Sequence, residues 1–401
     1  LSDFFYIWLR RSIGSYCPDI FSTLVVPKLQ ELVATPYRFG GNKQKAQEFF
    51  EEGLGKAFTR MRNASHPEYP LTVYYAFKQA EKDNQEGKGS FAIASTGWET
   101  MLEGLIQASF SITGTWPMRT ELGNRMRGQA SNALASSIVL VCRPRPESAP
   151  STTRRQFLTA LKRELPEALK TLQQGNIAPV DLAQASIGPG MAVFSRYAKV
   201  LEADGTPMRV RTALQLINQT LDEYFTEQEG AFDADTRWAL TWFEQHQFEE
   251  GKYGDAETLS KAKNTSVTGL VNSGILIAKG GKVRLLRRDE LPMLDDSPSQ
   301  TPNLKSKIQN LQSNDWEMTQ HLIWTLDQKG ETGASVLLSK LGDRGEVARD
   351  LAYRLYSICD RKGWTQEAIA YNSLVISWPE ISRLAAEEQK QPTTVQGELP
   401  L

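Results

Sequence analysis

The residues best suited to chemistry lie at and just after the end of the apolar stretch 110–116 (FSITGTW). In order they are Trp116, Pro117, Arg119, Glu121, Asn124, Arg125, Arg127 and Asn132. An indole face stacks on any nucleobase, although a Trp at a strand end is also a common core residue. The Arg119 guanidinium suits a phosphate, or an ion pair with Glu121. Arg125 and Arg127 could add phosphate contacts. Asn124 and Asn132 suit base edges, and asparagine is equally at home in any loop. No Ser/His/Asp set or P-loop is visible, and GKGS at 87–90 lacks the rest of a phosphate-binding loop. The histidines (His66, His246, His321) and cysteines (Cys17, Cys142, Cys359) are scattered, which gives no metal framework.

These residues need a sheet to hold them. Runs of β-branched and aromatic residues predict strands at 71–77 (LTVYYAF), 110–116 and 137–142 (SIVLVC), with an apolar 3-4 spacing predicting a helix at 96–108. This order reads as the closing half of an α/β sheet. Ligand sites in such folds sit at the ends of parallel strands. That rule points to Phe77 and Lys78 at one end, and to Trp116, Pro117 and Arg119 at the next. Residues 45–62 form an amphipathic helix with Phe49, Phe50, Leu54, Phe58 and Met61 on one face. An earlier helix carries Phe4, Phe5, Ile7, Trp8, Leu9 and Ile13 over most of its circumference, so burial is expected. The chain opens on Leu1 rather than Met, which reads as a fragment or as one piece of a split chain.

With 401 residues the chain has room for two or three domains. A net charge of −1 gives no global positive field to draw in nucleic acid, and leaves a local binding face open. No apolar run reaches the ~18 residues of a membrane span. With the scattered cysteines this points to a cytoplasmic protein. The Pro- and Ser-rich stretch 143–153 marks a boundary after a first domain at 1–145. A helical domain follows at 154–250, in which Pro166 should kink one helix and Gly188-Pro189-Gly190 should turn the chain. Trp238, Trp242 and Phe243 read as core. Residues 255–290 read as two helices and a Gly-Gly hairpin, a winged-helix-like segment. Lys261, Lys263, Lys279, Lys282, Arg284, Arg287 and Arg288 give it a local positive bias, with Lys279 and Lys282 placed to meet a DNA backbone. A helical bundle is expected at 303–386 and a disordered tail at 387–401.

Four segments carry a more specific resemblance: LSDFFYIWLRR (1–11), LTVYYAFK (71–78), STGWETMLEGLIQASFSITGTWPMRTE (95–121) and NALASSIVLVCRPR (132–145). The stretch QQGNIAPVDLAQASIGPGMAVFSRY (173–197) extends it over most of the chain. Together they resemble the C-terminal portion of large prokaryotic adenine-specific DNA methylases, the subgroup with a zinc-ribbon insertion. The resemblance implies the C-terminal half of a Rossmann-like class I methyltransferase sheet, S-adenosyl-L-methionine as cofactor and DNA as substrate. It also implies a catalytic Asp-Pro-Pro-Tyr, which accepts hydrogen bonds from the target amine while its Tyr stacks on a flipped base. That motif would lie before Leu1. The cofactor motif and the zinc-ribbon cysteines are not in this sequence either, so the isolated chain is expected to be inactive and to need an N-terminal methylase half. The target-side wall would then comprise Ser2, Asp3, Lys78, Trp116, Pro117, Arg119, Glu121 and Asn124. The alternative is a DNA- or protein-binding scaffold with a degenerate methyltransferase remnant.

Overall fold

The structure is a computed structural model that describes residues 2–27, 31–76, 96–119, 136–291 and 314–390. Its first sheet has three strands, β1 (Leu71–Ala76), β2 (Phe110–Arg119) and β3 (Ser136–Pro144), in the order β1-β3-β2. The last strand in sequence lies between the other two and is antiparallel to both, so β1 and β2 run parallel. Helix α3 (Thr96–Gln107) precedes β2. One face of the sheet carries Ile112, Ile138, Leu140 and Cys142, all buried in a core shared with Trp98, Leu102 and Leu105 of α3. Tyr75 on β1 meets the Trp98 ring at 5.2 Å between centroids. Phe58, from helix α2 (Lys43–Ala64), closes this core from below.

Helix α1 (Ser2–Ile13) departs from its expected burial. Phe4, Phe5, Ile7, Trp8, Leu9 and Ile13 are exposed, and Tyr6 alone is buried, against Phe21. The apolar surface of α1 finds no opposing layer among the described residues. Its local fixings are the Tyr6 hydroxyl on Ile20 and Thr23 and the Arg10 guanidinium on the Phe21 carbonyl.

The Pro/Ser-rich stretch after β3 is firmly held. Arg145 is buried and donates to the carbonyls of Ile106, Ser195 and Tyr197. A short strand β4 (Ser151–Thr153) then pairs in parallel with β5 (Lys199–Leu201). Thr153 caps helix α4 (Arg154–Gln174) through a capping box with Gln156. This helix runs on through Pro166, where a kink is expected from sequence; its buried face of Phe157, Leu161, Leu165 and Leu169 continues on both sides of the proline.

Helix α5 (Pro179–Ser195) also overturns an expectation, because Gly188-Pro189-Gly190 lies inside it rather than turning the chain. The residues are spent on close packing. Helix α6 (Val210–Gln228) supplies Ile217, which fills the space left at Gly190. A Cβ on Gly188 would lie 2.1 Å from Thr115 Oγ1 and 2.7 Å from the Thr115 backbone nitrogen. The helix therefore runs against β2 almost backbone to backbone. Pro189 has no N–H for the carbonyl one turn back, that of Ala185. The Thr115 hydroxyl donates to that carbonyl at 3.0 Å instead. At the other end Ser195 Oγ accepts the Ile112 N–H at 2.8 Å. Thus α5 seals the outer edge of β2, which would otherwise present unpaired backbone groups.

The remainder is helical apart from one small sheet. Helix α7 (Ala234–His246), strand β6 (Gly251–Lys252), helices α8 (Tyr253–Ala262) and α9 (Val267–Asn272), and strands β7 (Leu276–Lys279) and β8 (Lys282–Leu285) follow in order. The sheet order is β6-β8-β7, all antiparallel. Gly280 and Gly281 both take positive φ, as a two-residue hairpin turn of the I′ kind requires. Three long helices close the chain: α10 (Asp315–Leu341), α11 (Gly345–Lys362) and α12 (Thr365–Lys390). Gly330 breaks α10 with φ 67° and ψ −169°. Helix α12 runs on to Lys390, past the expected start of the tail, and Gln389 donates to the Ser339 carbonyl.

The α5–β2 contact predicts the effect of two substitutions. Gly188→Ala pushes a methyl group into strand backbone that cannot give way, and should cost about 1–3 kcal/mol or more. Thr115→Val leaves the Ala185 carbonyl unpaired, at a cost of about 1–3 kcal/mol. Both should lower the denaturation midpoint in urea, and unchanged midpoints would show that α5 is not seated this way.

Candidate functional site

On the face of the first sheet away from α3, pairing aligns two rows. Tyr74, Val139 and Trp116 form one, and Ala76, Ser137 and Met118 the next. Tyr74 is 67% exposed, Trp116 62% and Met118 43%. Trp116 is therefore a surface residue and not the core residue that a strand-end Trp often is. Tyr74 and Met118 were not singled out by sequence reasoning. For Tyr74 the signal was the alternation of β1; Trp116 and Met118 share its face only because a β-bulge between Ile112 and Gly114 shifts the register of β2, so plain alternation would have placed them with buried Ile112.

Several expected site residues fall outside the described residues: Lys78, Glu121, Asn124, Arg125, Arg127 and Asn132, together with Phe77. Pro117 and Arg119 lie on the last turns of the β2 ladder, opposite Ile138 and Ser136, and Ser2 begins α1. Asp3 accepts the Val26 N–H at 3.1 Å, a local structural use for its carboxylate. Of the expected target-side set, the described contacts bring together Trp116 and its strand neighbours on β2.

A cleft of about 200 Å³ lies between α2, α3 and α6, lined by Gln47, Glu51, Glu99, Glu103, Gln107 and Arg211. Arg211 grips Glu99 at 2.9 Å, and Glu103 accepts the Val210 N–H. Ligand pockets usually span ~300–1,000 Å³ and are mostly apolar, as an adenine ring requires. This cleft is smaller, and its walls are carboxylates and amides already engaged with each other. These residues do not fit S-adenosylmethionine.

The segment α7 to β8 has the element order of a complete winged helix, with α7 and β6 contributing upstream of the residues recognised from sequence. Trp238 and Trp242 stack at 5.1 Å in its core, as the aromatic patch suggests. Its positive bias is largely neutralised. Lys261 pairs with Glu257, Lys282 with Glu250 at 2.7 Å, Arg284 with Glu290 and Arg287 with Glu249. The Arg284 guanidinium holds the Glu290 carboxyl down at about 2. Arg288 pairs with Glu367 and donates to Gln320, and it lies against the Phe248 and Tyr371 rings. Burial works to lower the Arg288 pKa, but the Tyr371 hydroxyl and the Glu367 carboxylate outweigh it and raise it. Lys279 on the wing has no carboxylate partner among the described residues. Helix α9, which occupies the position of a recognition helix, reads VTGLVN and carries no cation.

The α7–β8 segment is also locked to the C-terminal helices at α7. Asp233 caps α7 by accepting from Thr236, and it accepts the Asp315 N–H at 2.9 Å. Asp315 in turn accepts the Asp233 N–H and pairs with Arg344. Burial raises the pKa of Asp233, but its hydrogen bonds outweigh this and hold it below the usual range. Asp315 is pushed up, by burial and by the neighbouring Asp233 carboxylate. The two helix N-termini thus share a pair of carboxylates, each suited to a helix start.

A family model described as a domain of unknown function (DUF8807) matches residues 233–399. The match begins at Asp233, the N-cap of α7, and takes in the α7–β8 segment and the three C-terminal helices. No curated protein and no solved structure matches the chain. Among the described residues no helix is long and apolar enough to cross a membrane.

The ion pairs on the wing predict weak engagement of DNA there. Each phosphate contact contributes about 0.9 to the slope of log K against log salt. Replacing Lys279 and Lys282 together by Ala should change the slope measured on duplex DNA by about one or less, because Lys282 is already held by Glu250. A drop of about two would show that both lysines meet phosphate.

Proposed function

We propose that this chain is the closing part of an S-adenosylmethionine-dependent DNA adenine-N6 methyltransferase. In this reading the catalytic Asp-Pro-Pro-Tyr and the cofactor loop lie outside these 401 residues. The observation that carries the reading is the strand order β1-β3-β2, with the final strand inserted antiparallel between two parallel ones. A plain meander would place β2 in the middle; a class I methyltransferase sheet ends with its last strand inserted, as here. The segments that resemble the methylases supply these elements: LTVYYAFK contributes β1, the STGWET segment α3 and β2, and SSIVLVCRPR β3.

The chain's own contribution is positional. Residues at the ends of β1 and β2 form the wall that faces the target strand, with Arg119 closing the β2 ladder. Helix α5 holds β2 rigid behind that wall, through Thr115 and Ile112. Rigidity matters, because methyl transfer requires the amine to be held in line with the donor. No step through the cofactor is assigned to residues of this chain.

A second reading, a protein-binding scaffold, rests on the neutralised wing and the cation-free α9. These suit a winged helix that organises protein rather than one that reads DNA. A methyl-transfer assay with labelled cofactor and adenine-containing DNA separates the two. These 401 residues alone should transfer nothing, and the same residues supplied together with the Asp-Pro-Pro-Tyr and cofactor-loop segments should transfer. Transfer by these residues alone, or none when those segments are present, would refute the methyltransferase reading.

A further inference from the structure

Two helices start at one place. Asp233 caps α7 and Asn314 caps α10, and the first turns of these helices meet. Asp233 Oδ2 accepts the Asp315 N–H at 2.9 Å, and Asp315 Oδ2 accepts the Asp233 N–H at 3.3 Å. This exchange sets the two carboxyl groups side by side, within reach of a hydrogen bond to each other. The Asp315 side chain is only 4% exposed. We propose that Asp233 and Asp315 bind one proton between them, and that this proton fastens the α7–β8 segment to the C-terminal helices. The lock is tight in mild acid and loosens as pH rises. It stands apart from the methyltransferase reading.

The balance of charge calls for the proton. Two carboxylates in one largely buried site repel, and one of them is driven to hold a proton. Arg344 pairs with Asp315 and brings one positive charge to two negative ones. Among the described residues, the other charged groups at this junction are engaged elsewhere. Asp235 accepts from Thr265 and Ser273, and Arg237 donates to the Gly230 carbonyl. Glu317 lies 3.6 Å from His321, and Glu229 pairs with Arg354. The donors decide which carboxyl stays ionised. Asp233 accepts the Thr236 N–H at 2.8 Å, the Thr236 hydroxyl at 2.6 Å and the Asp315 N–H, all of which favour its anion. Burial and the Asp233 carboxylate raise the Asp315 pKa, and Arg344 offsets this only in part. Asp315 therefore holds the proton and donates it to Asp233. The pair keeps one negative charge, which two helix N-termini favour.

An unfolded aspartate titrates near ~3.9. Because the Asp315 pKa is raised, its stabilisation is complete below about 3.9 and is lost as pH rises through the raised value. Asp233 is the opposite case: its lowered pKa adds stability above about 3.9, which is lost as pH falls through the lowered value. The lock is strongest near pH ~4, with one proton held, and weakens from there as pH rises. The contacts it secures are those of the junction itself. The Thr236 hydroxyl, which donates to Asp233, also accepts the Trp316 N–H at 2.9 Å. The Trp316 ring packs on Phe243 of α7 with centroids 5.6 Å apart.

The test uses the intact chain, with aspartate labelled at the carboxyl carbon and followed by NMR through a pH titration. Asp233→Asn and Asp315→Asn assign the two signals, and asparagine serves a helix start as well as aspartate does. Asp315 should titrate above the ordinary value and Asp233 below it. In Asp233→Asn the Asp315 titration should move down by about one unit or more, because the neighbouring negative charge is gone. In urea denaturation the wild-type chain should lose stability relative to Asp315→Asn as pH rises from about 4 to about 8. Two carboxyls that both titrate at or below the ordinary value would overturn the proposal, and the unsubstituted chain alone decides that. An Asp315 titration unmoved by Asp233→Asn would do the same, as would a stability difference that stays constant with pH.

Discussion

The seat of α5 on β2 holds the two halves of the molecule together. A proline in a helix interior costs about 3 kcal/mol, in part because one carbonyl loses its partner. Here the Thr115 hydroxyl takes that carbonyl, and Gly188 gives the strand room to approach. The same helix is buried on nearly every side. It meets α4 through Phe194 on Phe157 and α6 through Gly190 on Ile217. It meets the C-terminal helices through the Val180 N–H on Asn372, while Tyr353 of α11 bonds the Ile177 carbonyl just before it. Each neighbour is fixed relative to the sheet by way of α5.

That arrangement gives the sheet its asymmetry. Its β2 side is built into the helical body, with Arg145 bolting the exit of β3 to three carbonyls. Among the described residues its β1 side has an unpaired edge, and Tyr74 and Trp116 are exposed on the face away from α3. The α7–β8 segment is tied down differently. Arg288 is clamped between two rings and paired with Glu367, and the Asp233 and Asp315 carboxylates accept each other's backbone N–H. Such a unit is suited to hold a shape, and the carboxylates around its wing leave little net positive charge for DNA.

The sequence was informative where period and residue type agree. The strands at 71–77, 110–116 and 137–142 lie within a few residues of β1, β2 and β3, because β-branched alternation is a local signal. The aromatic stripe of α7 packs as its spacing implies. It was uninformative where tertiary contact reverses a local preference. Gly-Pro-Gly reads as a turn until Thr115 supplies the missing donor and β2 fills the space above Gly188. Pro166 reads as a kink, yet α4 stays buried along one face past it. The apolar α1 reads as buried, but burial depends on an opposing surface that the described residues do not provide. The wing reads as basic in composition, and only distances reveal that Glu249, Glu250 and Glu290 consume its cations.

One sealed edge and one open edge is the feature on which the functional account turns, and amide hydrogen exchange on the isolated chain reads it directly. Alternate amides of β1 point away from β3, while the Ile112 amide at the opposite edge is held by Ser195. The outward amides of Leu71–Ala76 should exchange quickly, and the Ile112 amide should exchange as slowly as the buried core. Protection of the outward β1 amides equal to that of Ile112, in a monomeric chain, would mean that the edge is already covered and would contradict the account.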